Sequence, residues 1–462
     1  MTLSSALAVS STSLQTISTM LQVTANNISN AQTPGYTEET ANISSIDLGG
    51  AGGGSEIVGY TDASDAALTA SVNQATSQSS LLSTQNNYMQ QVQTILGSSD
   101  ANGDPAISAA VSNFQSAWTQ FAAAPNSSSQ QSNLIQAGNA LAQQLNTAAN
   151  SVESLNVQVE NDTQTTVNTL NTDLQQVQSL NQQISTGLGA GQNVGELYNQ
   201  RDVLVNDISA ITNVSVFQRG QGQIALYTSG GTVLLDGEAS QFSYDGTNIT
   251  NSGGSNVTTL LNGGSLQAEV DFRLNSSPAA ASTDPMTEVV RKLDSQLNAI
   301  SSAFTNSSVG PPATFAYAYT GGSGTVPAFF TGTDAGSFAV NASLVSDPTS
   351  VNQSTANNVV SALNANSFSF TADGMPPLTN ASYATLTNTV LSDFQQTANT
   401  ISASSTSATA QQQQLSTQLS NETGVNTNTE LVNLTDFQNA YAASAHVISV
   451  IDAMYAALEN IT

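Results

Sequence analysis

One histidine, a pair of adjacent glutamates, one acidic loop and one arginine flanked by aspartates are the places in this chain where chemistry could begin. His446 is the single histidine and there is no cysteine, so neither a His-based triad nor a His/Cys zinc site can be completed. Asp100, Asn102 and Asp104 open with the spacing of a calcium loop, but Pro105 stands where the turn needs glycine and Val111 where the bidentate glutamate belongs. Glu38 and Glu39 could act as the acid and base of glycoside hydrolysis, although adjacent acids in a turn are ordinarily solvated. Arg201, between Tyr198 and Asp202 with Asp207 nearby, reads as an ion-pair anchor rather than a ligand site. Dinucleotide, P-loop and nucleophile-elbow motifs are missing. The expectation is a chain with no catalytic residue, no cofactor and no metal.

The balance of charge narrows the partners. Only five basic residues (Arg201, Arg219, Arg273, Arg291 and Lys292) stand against 32 acidic ones in 462 residues, for a net charge of −27. Binding to nucleic acid or to an anionic lipid surface rests on neutralising phosphate, so neither is expected. Zero cysteines exclude a disulfide framework. The first thirty residues lack a positive n-region and their apolar residues are periodic, so no cleaved signal peptide is expected. No uninterrupted apolar run of membrane-spanning length is present, and no membrane span is expected. Aromatics make up 6% of the chain, which points to a core of Ala, Val, Leu and Ile.

Two long periodic stretches must position whatever this chain presents. Near the C-terminus, Leu434, Phe437, Tyr441, Ser444, Ile448, Ile451, Tyr455 and Leu458 alternate spacings of three and four, the seam of a heptad repeat. Thr427 and Glu430 precede it at capping-box spacing. A helix of roughly 33 residues is about 50 Å long and needs a partner helix. At the other end Leu7, Leu14, Leu21 and Ile28 recur every seven residues with Leu3 and Ile17 between them, so the two ends match.

Between the ends, the pattern changes several times. Pro34 and Gly35 stop the first helix, Gly49 to Gly54 form a bend, and helical spacing then runs from about 62 to 186. From Val214 the period is two, with short strands expected to about Phe272. A helix from Pro285 to about Phe304 precedes a Gly/Thr/aromatic stretch, 310 to 345, expected as strands, after which helices return. The expected fold class is α+β, with long terminal helices pairing as a coiled-coil-like bundle and β-rich middle domains. The expected divisions are an N-terminal axial helix and turn (1–60), a helical bundle core (61–212), a β-rich segment (213–277), a helix (278–305), an outer β-rich or mixed domain (306–380), a second helical core (381–426) and a C-terminal axial helix (427–462).

Asn26-Asn27-Ile28-Ser29-Asn30, followed by Thr33-Pro34-Gly35-Tyr36, resembles the N-terminal motif shared by flagellar rod, hook and hook-associated proteins. Gly424-Val425-Asn426, Leu431, Asn433-Leu434, Phe437-Gln438, Tyr441, Ala443, Ala445, Val447-Ile448 and Met454 resemble the C-terminal motif of the same family. Interior blocks (114–145, 179–184, 196–202, 264–273, 329–332 and 339–348) resemble its hook-associated branch that joins hook to filament, with Asn199 departing from an Asp-Gln-Arg-Asp core.

The resemblance implies a non-enzymatic structural subunit located outside the cell on the flagellum and exported without a cleaved signal peptide. Its partners would be the hook protein, the next hook-associated protein, copies of itself, and an export chaperone at the C-terminal helix. The assembly interface would be made of Leu7, Leu14, Ile17, Leu21, Ile28, Asn26, Asn27, Asn30, Pro34, Gly35, Tyr36, Leu434, Phe437, Tyr441, Ile448, Ile451, Tyr455 and Leu458. The first alternative is the hook protein, which would have one contiguous β-rich interior. From a different class, the alternative is a secreted carbohydrate-active enzyme or adhesin, which would need a cleft with perturbed carboxylates.

Overall fold

The computed structural model describes residues 3–48, 51–97, 107–273, 289–307, 313–322, 326–366 and 368–459. The acidic loop with Asp100, Asn102 and Asp104 lies outside them. The fold is α+β, with long helices and small antiparallel sheets between them.

Helix α1 (Leu3–Asn30) is followed by a hairpin, β1 (Glu39–Leu48) and β2 (Ala51–Asp62), that lies along it. Thr16 Oγ1 donates to the Ser55 carbonyl at 2.8 Å and Thr12 Oγ1 to that of Gly53 at 3.4 Å, so one face of α1 satisfies carbonyls of the hairpin. The sequence expectation placed only a glycine-rich bend here. Register shifts between Asn42 and Ile43 and between Ser45 and Asp47 break the two-residue period that would have revealed the strands.

Helices α2 to α5 open the body. Helix α2 (Ala66–Leu96) starts at Asp65, whose carboxylate accepts from the Ala67 and Leu68 amides at 2.9 Å. After α3 (Ile107–Ala123), helix α4 (Ser128–Gly189) runs without a break for 62 residues, about 93 Å at 1.5 Å per residue. Leu141, Leu145, Val152, Leu155, Val159, Val167, Leu170, Leu174 and Val177 keep one face of it buried. Helix α5 (Gly195–Ile211) returns along α4.

Next, β3 (Val214–Gln218), β4 (Ile224–Thr228), β5 (Val233–Asp236) and β6 (Glu238–Ala239) pair in chain order as an antiparallel sheet, and β7 (Phe242–Tyr244) pairs with β8 (Ile249–Asn251). Strands were expected to continue to Phe272, but Gly264–Phe272 is helix α6. Leu266, Glu269 and Phe272 are buried at helical spacing, and the acid in the middle of that face hid its apolar pattern.

Helix α7 (Val289–Thr305) and α8 (Phe315–Thr320) come next, then β9 (Phe330–Thr331), β10 (Ala339–Val340), α9 (Ala342–Ser346), α10 (Ala356–Leu363), β11 (Phe368–Phe370) and β12 (Leu378–Ala381). The stretch from 310 to 345 therefore holds two very short strands and two helices among its described residues, not the run of strands expected. Its aromatics instead enter one cluster: Phe315, Tyr319, Phe329, Phe330 and Phe338 meet Phe114, Trp118 and Phe304 at centroid distances from 5.1 to 6.2 Å. The centre of the larger core is thus aromatic, against the expectation of an aliphatic one. Local composition favoured strands, and tertiary burial decided otherwise.

Helix α11 (Tyr383–Thr423) packs antiparallel on α2, with hydroxyl contacts from Ser79 to Thr409 at 3.2 Å and from Ser83 to Ser405 at 3.3 Å. A second, smaller core lies between α4, α5, α6 and the four-stranded sheet. Where the two cores meet on α4, the buried groups are polar: the Tyr88 hydroxyl donates to Asp162 and the Thr166 hydroxyl to Glu269, each at 2.8 Å. Helix α12 (Thr427–Glu459) then leaves the body and packs along α1.

Candidate assembly interface

The joint between α1, α12 and the hairpin is built around Asn27, which is 1% exposed. Its Nδ2 donates to the Glu39 carbonyl at 2.9 Å and to Glu430 Oε2 at 3.4 Å. Its Oδ1 accepts from the Tyr36 hydroxyl at 3.0 Å and from the Glu39 amide at 3.2 Å. The spacing between Asn27 and Tyr36 has a physical reason: the turn Thr33–Tyr36 must carry the phenol back over the last turn of α1. Gly35 permits this with φ +79°, and a Cβ there would lie 2.7 Å from Val203 Cγ2. Burial, together with Glu39, Glu196 and Asp62, pushes the Tyr36 phenol up to about 12.

The C-terminal segment ties into the same joint. The Glu38 amide donates to the Thr423 carbonyl at 2.8 Å. Asn426 caps α12, accepting from the Asn428 amide at 3.1 Å and the Thr429 amide at 3.4 Å. The capping box expected from Thr427 and Glu430 is therefore replaced. Glu430, 3% exposed, is drawn across to Asn27 of α1 and accepts from Asn433 at 3.2 Å. A side chain that satisfies a buried partner on another element cannot also cap its own helix.

Asn27 opposite Glu430 makes α1 and α12 antiparallel, with Leu3 and Glu459 toward the far end of the pair. Along this pair, Leu7, Leu14, Ile17, Leu21 and Ile28 of α1 are partly buried, as are Leu434, Phe437 and Ile448 of α12, while Ile451 is 5% exposed. Tyr441, Tyr455 and Leu458 stay exposed. Of the turn residues, Tyr36 is drawn in, Asn26, Pro34 and Gly35 face outward, and Asn30 Nδ2 donates back to the Asn26 carbonyl at 3.1 Å. His446 is exposed on α12.

A second apolar stripe escaped the sequence reading. Ala443, Val447, Val450 and Met454, spaced four, three and four, lie on α12 away from the α1 face and are exposed, Val447 at 46% and Met454 at 49%. The signal was present as a second seam one position before the first. One window of 18 residues within Tyr383–Glu459 has a mean hydropathy of 1.3 and is 6% buried. By length and composition alone that window is apolar enough to cross a membrane, which qualifies the expectation of no such stretch. The apolar residues of α12 lie on two stripes with Asp436, Asn439 and Asp452 elsewhere on the same helix, a pattern suited to helical partners.

Arg201 also departs from expectation. Its Nη1 donates to Asn181 Oδ1 at 3.2 Å and the Gly222 carbonyl at 2.6 Å, and its guanidinium lies 4.9 Å from the Tyr198 ring centroid. It anchors α5 to α4 through neutral oxygens rather than through the ion pair expected with Asp202 and Asp207. Burial lowers its pKa and raises that of Asp202. Asn199 accepts from the Thr37 hydroxyl at 2.8 Å, joining α5 to the segment before β1.

Residues 89–308, which run from the end of α2 through α7, match the family model described as the flagellar hook-associated protein FlgK helical domain. That stretch, just under half of the chain, is similar to the helical domain of the flagellar hook-associated proteins. Residues 418–461, the end of α11 and all of α12, match the C-terminal model of the flagellar basal body rod FlgEFG proteins. Flagellar hook-associated protein 1 of Salmonella typhimurium is 29% identical over 228 residues, covering 48% of this chain and 40% of that protein. The Bacillus subtilis protein of the same name is 25% identical over 228 residues, covering 47% of this chain and 44% of its own length. The matched stretch thus spans less than half of these curated relatives. The flagellar hook junction protein FlgK of Burkholderia pseudomallei aligns in structure with 24% sequence identity and a TM-score of 0.41, covering 51% of this chain and 42% of that one. The matched helical stretch lies within the body, and α1, the hairpin and α12 form the joint beside it.

Proposed function

We propose that this chain is a non-enzymatic structural subunit of the bacterial flagellum that joins hook to filament, packing through its α1–α12 pair against copies of itself, the hook protein and the next hook-associated protein. The observation that carries this reading is the two-striped α12: one stripe faces α1, and the other leaves Val447, Val450 and Met454 in water. Burying such side chains is worth about 1.5 to 3 kcal/mol each, so the second stripe favours a further helix from a neighbouring subunit. The matches to hook-associated and rod proteins support the flagellar setting. The subunit then works outside the cell, having left through the flagellar export channel without a cleaved signal peptide, with a chaperone holding α12 beforehand.

Ile448→Asp and Val450→Asp test this in cells whose own subunit has been removed. Each puts a carboxylate into a different stripe, where desolvating an unpaired charge costs several kcal/mol. Both variants are expected to reach the medium, to keep the thermal melting of the body, and to leave cells non-motile with filament protein shed. Normal filaments from an exported Val450→Asp subunit would refute the role of the second stripe.

A further inference from the structure

Glu39 on β1 and Asp62 on β2 stand directly opposite each other in the hairpin, and both turn toward the first residue of α5. A methyl group added at Gly195 would lie 3.0 Å from Glu39 Oε1 and 3.0 Å from Asp62 Oδ1, so the two oxygens flank one wedge of space over a residue that has no side chain. Glu39 is 7% exposed, and neither of these two oxygens has a hydrogen-bond donor. Asn193, which bonds to the Glu39 carboxylate, accepts with its own Oδ1 from the Gly195 amide at 2.8 Å. The nearby charge is negative as well, with Asp202 within electrostatic reach of Asp62, while the Arg201 guanidinium donates to Asn181 and Gly222.

We propose that Glu39 and Asp62 are the carboxylate ligands of a hydrated divalent cation, Ca²⁺ or Mg²⁺, that clamps the hairpin at the root of the terminal helices onto α5. Two carboxylates facing one buried wedge repel each other unless a counter-charge is supplied, and the N-terminal end of α5 offers only about half a charge. Hard cations take oxygen ligands, and one or two carboxylates completed by water is an ordinary shell for Mg²⁺ and an acceptable one for Ca²⁺. No third acidic side chain joins them among the described residues, so the affinity belongs to the weak range, with Kd about 10⁻⁴ to 10⁻³ M. The clamp would stiffen the joint through which the terminal helices are held to the body, whatever those helices assemble with.

The full chain, stripped with chelator, is titrated with CaCl₂ and separately with MgCl₂ by calorimetry, and with Tb³⁺ by luminescence sensitised through Tyr36 and Tyr198. One saturable site is expected, weakened roughly tenfold or more by Glu39→Gln or Asp62→Asn, since ligand charge sets affinity in such sites. Gly195→Ala should weaken it as well, because its methyl group enters the wedge without changing charge. Circular dichroism establishes that each variant is folded. Should any of them unfold, hydrogen exchange of the Thr40 and Thr61 amides in the unaltered chain decides, with slowing by millimolar Ca²⁺ or Mg²⁺ expected. Absence of saturable binding at millimolar metal, unchanged hairpin exchange, or binding that persists in a folded Glu39→Gln/Asp62→Asn double variant would overturn the proposal.

Discussion

The Tyr36 hydroxyl donates to Asn27 Oδ1 at 3.0 Å, closing the chain over the end of α1, and the same asparagine reaches Glu430 of α12 at 3.4 Å. Residues 403 positions apart are thereby held by one amide. Asn27→Ala would strand a phenol, an amide and a carboxylate in a buried joint, at about 1 to 3 kcal/mol for each group left unsatisfied. The expected result is loss of amide protection in α12 and the hairpin, measured by hydrogen exchange, with the melting of the body nearly unchanged. Full protection of α12 in the variant would contradict the role of this joint.

Gly35→Ala tests the turn itself. With φ at +79° and Val203 Cγ2 in the way, an alanine should cost about 1 to 2 kcal/mol from backbone conformation alone, and Val203→Ala should recover part of the loss. Equal stability of both single variants and the wild type in denaturant titration would rule this out.

The buried carboxyl between the two cores determines a pH dependence. Glu269 is pushed up to about 8, chiefly by burial, from an ordinary value of 4.5. The folded chain therefore holds a proton there that the unfolded chain releases above about pH 4.5, so stability is complete below that pH and is lost as pH rises toward about 8. Melting temperature should climb on acidification from pH 8 to pH 5. Glu269→Gln should flatten the climb by raising stability at pH 8, and a variant with the wild-type slope would assign the effect to other groups.

Two substitutions in the aromatic core separate ring packing from hydrogen bonding. Trp118 is fully buried with its indole Nε1 unpartnered, so Trp118→Phe sheds an unsatisfied donor and keeps most ring contacts. It should be close to neutral. Phe114→Ala, at the middle of the cluster, should cost about 3 to 5 kcal/mol. Thermal unfolding would show the contrast, and a larger loss from Trp118→Phe than from Phe114→Ala would reverse the assignment.

Helix α12 rests on α1 alone among the elements packed extensively against it, whereas α4 is buried along one whole face. Amides of Ile448 and Leu14 should therefore exchange faster in the isolated chain than those of Leu145 or Val152, since local opening of a two-helix arm exposes little apolar surface. Protection equal to that of α4 would mean that the arm is held more tightly than this packing explains.

The long helices were legible in the sequence because a single apolar face repeated over many turns needs no information from elsewhere. That held for α4, α11 and α12 and for the first heptads of α1. The α+β class followed from the change of period at Val214, and Asn27 and Tyr36 could be singled out by the resemblance of their segment to the flagellar N-terminal motif. Other features were settled only by tertiary structure. The paired carboxylates of Glu39 and Asp62 come from two strands whose bulges blur the period, and α6 was hidden by a buried acid on its core face. The aromatics between 310 and 345 look like strand formers until they meet α3 and α7. Glu430 looks like the cap of its own helix until Asn27, on a helix at the far end of the chain, takes it. Periodicity reports how a segment divides itself between water and a core. It carries no record of which distant group a polar side chain will find, and that pairing decided the joint.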